Sequence, residues 1–321
     1  MSNERSRRDI LRAAGYLGAA SLLGCAGDQT APAPQEPPPF AGIVDIHQHA
    51  DYQGRTDEQL SAHQQTMGVA KTVLLPAGSP VSRPSTHDGA SNGLAAGATG
   101  NEACLRIFES DPESYAYFAN EVPDLPTARA EIETYLNKGA IGIGEQKFSV
   151  DCDSAHIELI ASIAREYDVP VLMHFEHERY NLHIERFAAI LEKFPTVNFI
   201  GHAQTFWGNI DERHDQSVMY PEGPVTPGGI TDRYLGDYPN LFGDLSANSG
   251  RNSLMRDEDQ AREFLLRHQD KLMFGSDCTD TIGQGEQCIG ARTLGALRRL
   301  VADEAVLNKI LGGNARRIMR L

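Results

Sequence analysis

Histidines and acids of this chain stand where they could converge on one point. His47 and His49 are two residues apart in Asp45-Ile46-His47-Gln48-His49. On an extended strand that spacing puts both imidazoles on one face. Glu145 and Lys147 repeat the spacing, and His174, His202 and Asp277 follow singly. Neutral imidazoles and carboxylates are the donors that divalent transition metals take, zinc foremost. A metal site of this kind activates water for attack on a small molecule, so the spacing points to an enzyme.

The elements that would position these residues are legible as apolar runs. Such runs lie at 42–46, 69–75, 115–119, 140–144, 169–173, 197–200, 240–244 and 271–274. Most are rich in Val, Ile, Leu or Phe and bounded by Gly, Pro or Asp, as buried parallel strands are. Amphipathic patterns at 129–136, 155–166, 184–194, 257–268 and 291–300 read as helices between them. Eight strands alternating with helices over this length fit an α/β fold, the (β/α)8 TIM barrel. A doubly wound open sheet fits less well, because no Gly-x-Gly-x-x-Gly follows the first strand. In a barrel the residue just past each run faces the mouth, and His47, His49, Glu145, Lys147, His174, His202 and Asp277 all stand there.

Two long connections, 76–103 and 205–232, follow strand ends and are expected to shape a substrate pocket. His87, Trp207 (the only tryptophan) and Arg251 lie in or near such loops and are candidate substrate contacts, with Lys147. Gly89-Ala90-Ser91-Asn92-Gly93 matches the serine-hydrolase elbow but lacks the strand before it and the helix after it, and reads as loop. His177 reads as a surface or supporting residue. Cys104, Cys152, Cys278 and Cys288 are open to disulfide pairing or to burial as thiols.

The pieces VDIHQH, GIGEQKF, VPVLMHFE, FIGHAQ, MFGSD and ILGGNARRI run in that order from residue 44 to 318. In them the sequence resembles the amidohydrolase superfamily, in its amidohydrolase 2 branch of metal-dependent hydrolases. The resemblance implies that His47, His49 and Asp277 hold one divalent ion, a zinc by preference. It implies that His174 and His202 complete that site or hold a second ion, with Glu145 as the bridge between two. Two ions are the favoured expectation; with one, His174 would be a ligand and His202 would polarise the substrate. Asp277 would be ligand and proton shuttle, and Lys147 would stabilise an oxyanion or pair with a substrate carboxylate. The implied activity is hydrolysis of a small ester, amide or lactone. The branch also contains non-oxidative decarboxylases and hydratases of aromatic or unsaturated acids, so a lyase is the alternative.

The N-terminus reads as an address. Arg7-Arg8, then Ile10-Leu11, an Ala- and Gly-rich stretch and Leu22-Leu23-Gly24-Cys25 resemble a twin-arginine signal ending in a lipobox. Residues 1–24 are the expected signal peptide and Cys25 the lipidated residue. The proline-rich 25–40 is the expected tether, and 41–321 the barrel. The expected location is the periplasm or cell envelope, with membrane contact only through the lipid. The chain has 321 residues and a net charge of -15, and so acidic a surface repels nucleic acid. The expected partner is a small-molecule substrate.

Overall fold

The structure, a computed structural model, describes residues 40–86 and 97–321. The expected signal peptide, Cys25, most of the tether, His87 and the 89–93 motif lie outside the described residues.

Every apolar run yields a strand. The strands are β1 (Ile43–Gln48), β2 (Val69–Leu74), β3 (Tyr115–Tyr117), β4 (Ile143–Gln146), β5 (Val171–His174), β6 (Phe199–His202), β7 (Leu241–Asp244) and β8 (Leu272–Met273). Successive strands pair in parallel in two sheets, β1-β2-β3 and β4 to β8. The Ala119–Ile143 bridge joins β3 to β4. At the other seam the Ile46 N–H donates to the Phe274 carbonyl at 3.2 Å and the Asp277 N–H to the His47 carbonyl at 2.8 Å. Closure at both seams makes the (β/α)8 barrel that the alternation predicts.

The core has two layers. Val44, Ile46, Val73, Leu172, Ile200 and Phe242 fill the barrel, and Ala315 and Ile318 of the C-terminal helix Asn314–Met319 pack against them. A larger layer lies between strands and helices, with Ile157, Ile160 and Leu297 fully buried. The helix Asp57–Met67 has no counterpart among the predicted helices. Its buried residues Leu60, His63, Gln64 and Met67 recur at helical spacing, but two are polar, so the apolar stripe is broken. The Thr56 hydroxyl and the Gln59 side chain cap its start reciprocally. The helix Asn101–Ser110 likewise begins inside the stretch read as loop. Among the described residues no helix is long and apolar enough to cross a membrane.

Two strands are irregular, β1 at Ile43/Val44 and again near the mouth, and β4 near the mouth. From Asp45 to Gln48 β1 takes three steps while β2 takes two, from Thr72 to Leu74. From Ile143 to Gln146 β4 does the same against Val171 to Met173 of β5. An extra residue in one strand re-aims the side chains beyond it. Val44 and Ile46 therefore face the lumen, and past the bulge His47 faces inward as well.

Candidate metal centre

Six strands deliver polar side chains to one point at the mouth: His47 from β1 and His49 just past it, Glu145 from β4, His174 from β5, His202 from β6, Asp244 from β7 and Asp277 just past β8. His174 and His202 are register partners. All but Asp277 are buried residues, and the Asp277 side chain is 15% exposed.

Hydrogen-bond partners fix the tautomers. His49 Nδ1 lies 2.7 Å from the Leu75 carbonyl, which can only accept, so Nδ1 carries the proton. His47 Nδ1 donates to Asp244 Oδ2 at 2.7 Å. The Ser246 hydroxyl donates to the same oxygen at 2.8 Å and accepts from His202 Nδ1 at 3.0 Å. Each neutral imidazole then turns a lone pair on Nε2 toward the centre. His47 Nε2 and His49 Nε2 stand 3.3 Å apart. Glu145 Oε2 lies 3.7 and 3.6 Å from these two nitrogens, and Asp277 Oδ1 lies 3.8 and 3.6 Å from them. Both carboxylate oxygens are buried without a hydrogen-bond partner.

Lone pairs and unpartnered anionic oxygens facing one point are costly unless a cation lies among them. The donor set fits a divalent transition ion. His47, His49 and Asp277 form one compact triad, and His47, Glu145 and His202 form another. Outer partners complete the arrangement, since a ligating histidine donates its other N–H to a carboxylate or carbonyl.

The buried acids favour a positive charge at this point, and without an ion they favour it as a proton on His47. Burial by itself would lower the His47 pKa, but the charges of Asp277 and Asp244 outweigh it and hold the pKa well above its ordinary value. Burial would raise Glu145, yet His174 and His47 keep it well below the carboxylate range. Asp277 is likewise held down against its burial by the charge of His47. Burial and the nearby His47 bring His202 down to about 4, so it is neutral at pH 7.

Several residues are placed otherwise than the sequence suggests. His174 sits beside the cluster, but Nδ1 meets Glu145 Oε1 at 2.5 Å and Nε2 meets Glu176 Oε2 at 3.3 Å. As placed, it orients Glu145 and belongs to neither triad. A neutral His202 turns a lone pair inward, which suits a ligand and not a donor to an oxyanion. Trp207 is 2% exposed, and its indole N–H donates to the Asp244 carbonyl at 2.8 Å. Its ring lies so close to Gly243 that an added Cβ would come within 2.9 Å. It is thus a core residue fixing the end of β7, not a pocket wall. Lys147 is half-buried at the rim, its Nζ 5.5 Å from the centre of the Tyr180 ring. Arg251 lines a separate cavity of about 500 Å³ with Tyr220, Asn248 and Arg256, and no member of the cluster lines it. His177 is partly exposed beside Glu178, as expected of a surface residue. The four described cysteines are free and buried.

Sequence reading missed Asp244, Ser246, Asn120 and Tyr52. Asp244 was the last residue of an apolar run, and a buried acid in that position was the available signal. Asn120, just past β3, donates to the Glu145 carbonyl at 2.8 Å and holds that strand end. The Tyr52 ring packs edge-on against His49 at 4.7 Å. Burial, then the charge of Asp277 and a hydrogen bond to it, push the Tyr52 phenol pKa far up, so it remains a donor.

Asp244 gives a direct test. In Asp244→Asn one acceptor oxygen becomes an amide N–H₂, and His47 is no longer held with its proton on Nδ1. Metal affinity is expected to fall roughly 10–100-fold, measured by competition with a chromophoric chelator. Unchanged affinity would show that His47 needs no such partner.

A family model described as amidohydrolase matches residues 44–321, and the chain belongs to that family. Among solved structures it is similar to a probable 2-pyrone-4,6-dicarboxylic acid hydrolase from Acinetobacter baumannii with citric acid bound. Identity is 13% over 87% of this chain and 99% of that one, with a TM-score of 0.57. It is similar to 2,6-dihydroxybenzoate decarboxylase from Rhizobium, at 15% identity over 87% and 98%, TM-score 0.55. It is also similar to 4-oxalomesaconate hydratase from Rhodopseudomonas palustris, at 17% identity over 87% and 95%, TM-score 0.53. Identities this low speak for the fold. No curated protein matches the chain.

Proposed function

We propose that the chain is a metal-dependent hydrolase of a small ester, amide or lactone. The observation that carries the metal is the set of Nε2 lone pairs and unpartnered carboxylate oxygens on His47, His49, Glu145 and Asp277. One ion is favoured over two, because both triads need the single Nε2 lone pair of His47. Glu145 and His202 then join His47, His49 and Asp277 around one centre, and Glu145 is not a bridge. Zinc suits these nitrogen and oxygen donors.

A bound divalent ion would supply a water acidic enough to ionise near neutrality and would polarise a substrate carbonyl. The protein's own groups do the rest. Asp277, held ionised, takes a proton from the attacking water and returns it to the leaving group. Tyr52, kept protonated beside Asp277, offers a hydrogen bond at the mouth. Lys147 stands at the rim as a cation for a substrate carboxylate.

The relatives of similar fold include a decarboxylase and a hydratase, and the same aspartate could deliver a proton to carbon. A side-by-side assay of lactones and esters against hydroxybenzoates, with the purified metal-loaded protein, separates the two chemistries. Turnover of a lactone or ester with no carbon dioxide from hydroxybenzoates is the expected result. Decarboxylation alone would replace the hydrolase with a lyase. We further propose an envelope location through Cys25, on the strength of the N-terminal motifs alone.

A further inference from the structure

Outside the barrel mouth a second group of ligand-type side chains is assembled, and it contains the sulfur that the first lacks. His63 comes from the helix Asp57–Met67. Cys278 directly follows Asp277, and Cys288 caps the helix Ile289–Leu300. Their exposures are 0%, 2% and 0%. Cys278 Sγ and Cys288 Sγ are 3.7 Å apart, and His63 Nε2 is 3.3 Å from Cys288 Sγ. Asp280 Oδ2 is 3.8 Å from His63 Nε2, and Met67 Sδ is 3.8 Å from Cys288 Sγ.

We propose that His63, Cys278 and Cys288 bind a zinc ion, the three donors lying within 4.8 Å of one another. The 3.7 Å between the two sulfurs is the spacing of a tetrahedral site. Zinc–sulfur bonds of about 2.3 Å at the tetrahedral angle place two sulfurs roughly 3.8 Å apart, and a nitrogen roughly 3.6 Å from each sulfur. A dication offsets the two thiolates, so the filled site is neutral apart from Asp280 and tolerates burial. Two thiolates and an imidazole select zinc over magnesium or calcium, which take oxygen.

The surroundings hold the donors in place. The Asp280 carboxylate accepts from the Ile282 and Gly283 N–H groups at 2.9 and 2.6 Å. Gly283 has φ +82° and packs so tightly on the His63 carbonyl that an added Cβ would come within 2.3 Å. The Cys278 carbonyl accepts from Arg55 Nη1 at 2.7 Å and from Gln48 Nε2 at 3.3 Å. The ion would pin the loop after β8 to the first helix of the barrel. Because Cys278 adjoins Asp277, it would also fix the backbone that carries the proton-moving aspartate.

Cobalt substitution of the full chain tests this independently of the barrel ion. Donors at the mouth are nitrogen and oxygen only, so a thiolate-to-cobalt charge-transfer band in the near ultraviolet reports the sulfur site alone. The parent is expected to show that band and to bind one equivalent more than Cys288→Ser or Cys278→Ser. Those variants should lose the band and keep the other ion, and Cys104→Ser should keep the band. If the serine variants do not fold, titrating the zinc-loaded parent with a mercurial should release zinc as the thiols are blocked. A cobalt-saturated parent without the band, a Cys278–Cys288 disulfide in the isolated protein, or thiol blocking with no zinc released would each overturn the proposal.

Discussion

Exhaustive chelation of the purified protein is expected to lower turnover by on the order of 10²-fold or more, with recovery on adding zinc. The reason lies in the donors. Without a cation, Glu145 Oε2 and Asp277 Oδ1 face imidazole lone pairs and have no hydrogen-bond partner. Only a cation satisfies all four groups together. The same linkage should appear in stability. An ion present at a thousand times its dissociation constant adds about 4 kcal/mol to the folded state. The melting temperature should therefore fall on chelation and climb with each increment of zinc. Full activity in protein shown by elemental analysis to be metal-free would end the metal mechanism.

Asp277→Asn is expected to cut kcat by roughly 10²–10⁴, the range of general acid–base catalysis, while the ion is largely retained. The substitution is well controlled. Residue 277 has φ 45°, a left-handed conformation that Asn adopts as readily as Asp, so the backbone is not disturbed. The amide keeps an oxygen for the ion but accepts no proton. The pH dependence gives a second readout. Asp277 is held below the ordinary carboxylate range, so it stays ionised as pH falls through that range and loses its charge only at lower pH. The parent's acidic limb should lie below the ordinary range, and the variant should lack it. A variant with parental kcat and full metal content would make Asp277 a structural residue.

Sequence made the scaffold legible because most strands are buried on both faces. Most became short, largely apolar runs, and a polar residue just past the end stood out. That contrast found His47, Glu145, His202 and Asp277. It failed for Asp244, which closes an apolar run and so was counted inside it. It failed for the helix Asp57–Met67, whose buried face includes His63 and Gln64. Trp207 was misplaced because a rare aromatic after a strand end carries no sign of which side of its helix is buried. The orientation of His174 depends on Glu145 and Glu176, neighbours contributed by separate parts of the site. The signal-like motifs and Cys25 are matters of sequence alone.

The three-against-two step in β1 makes the site depend on a count of residues as well as on their identity. Replacing Ile46 or Gln48 changes one side chain. Deleting Gln48 would make His47 and His49 neighbours, and adjacent residues on a strand face opposite sides, so one of the two imidazoles would turn toward the helical layer. The chain would retain every candidate ligand and lose the point where the two histidines meet.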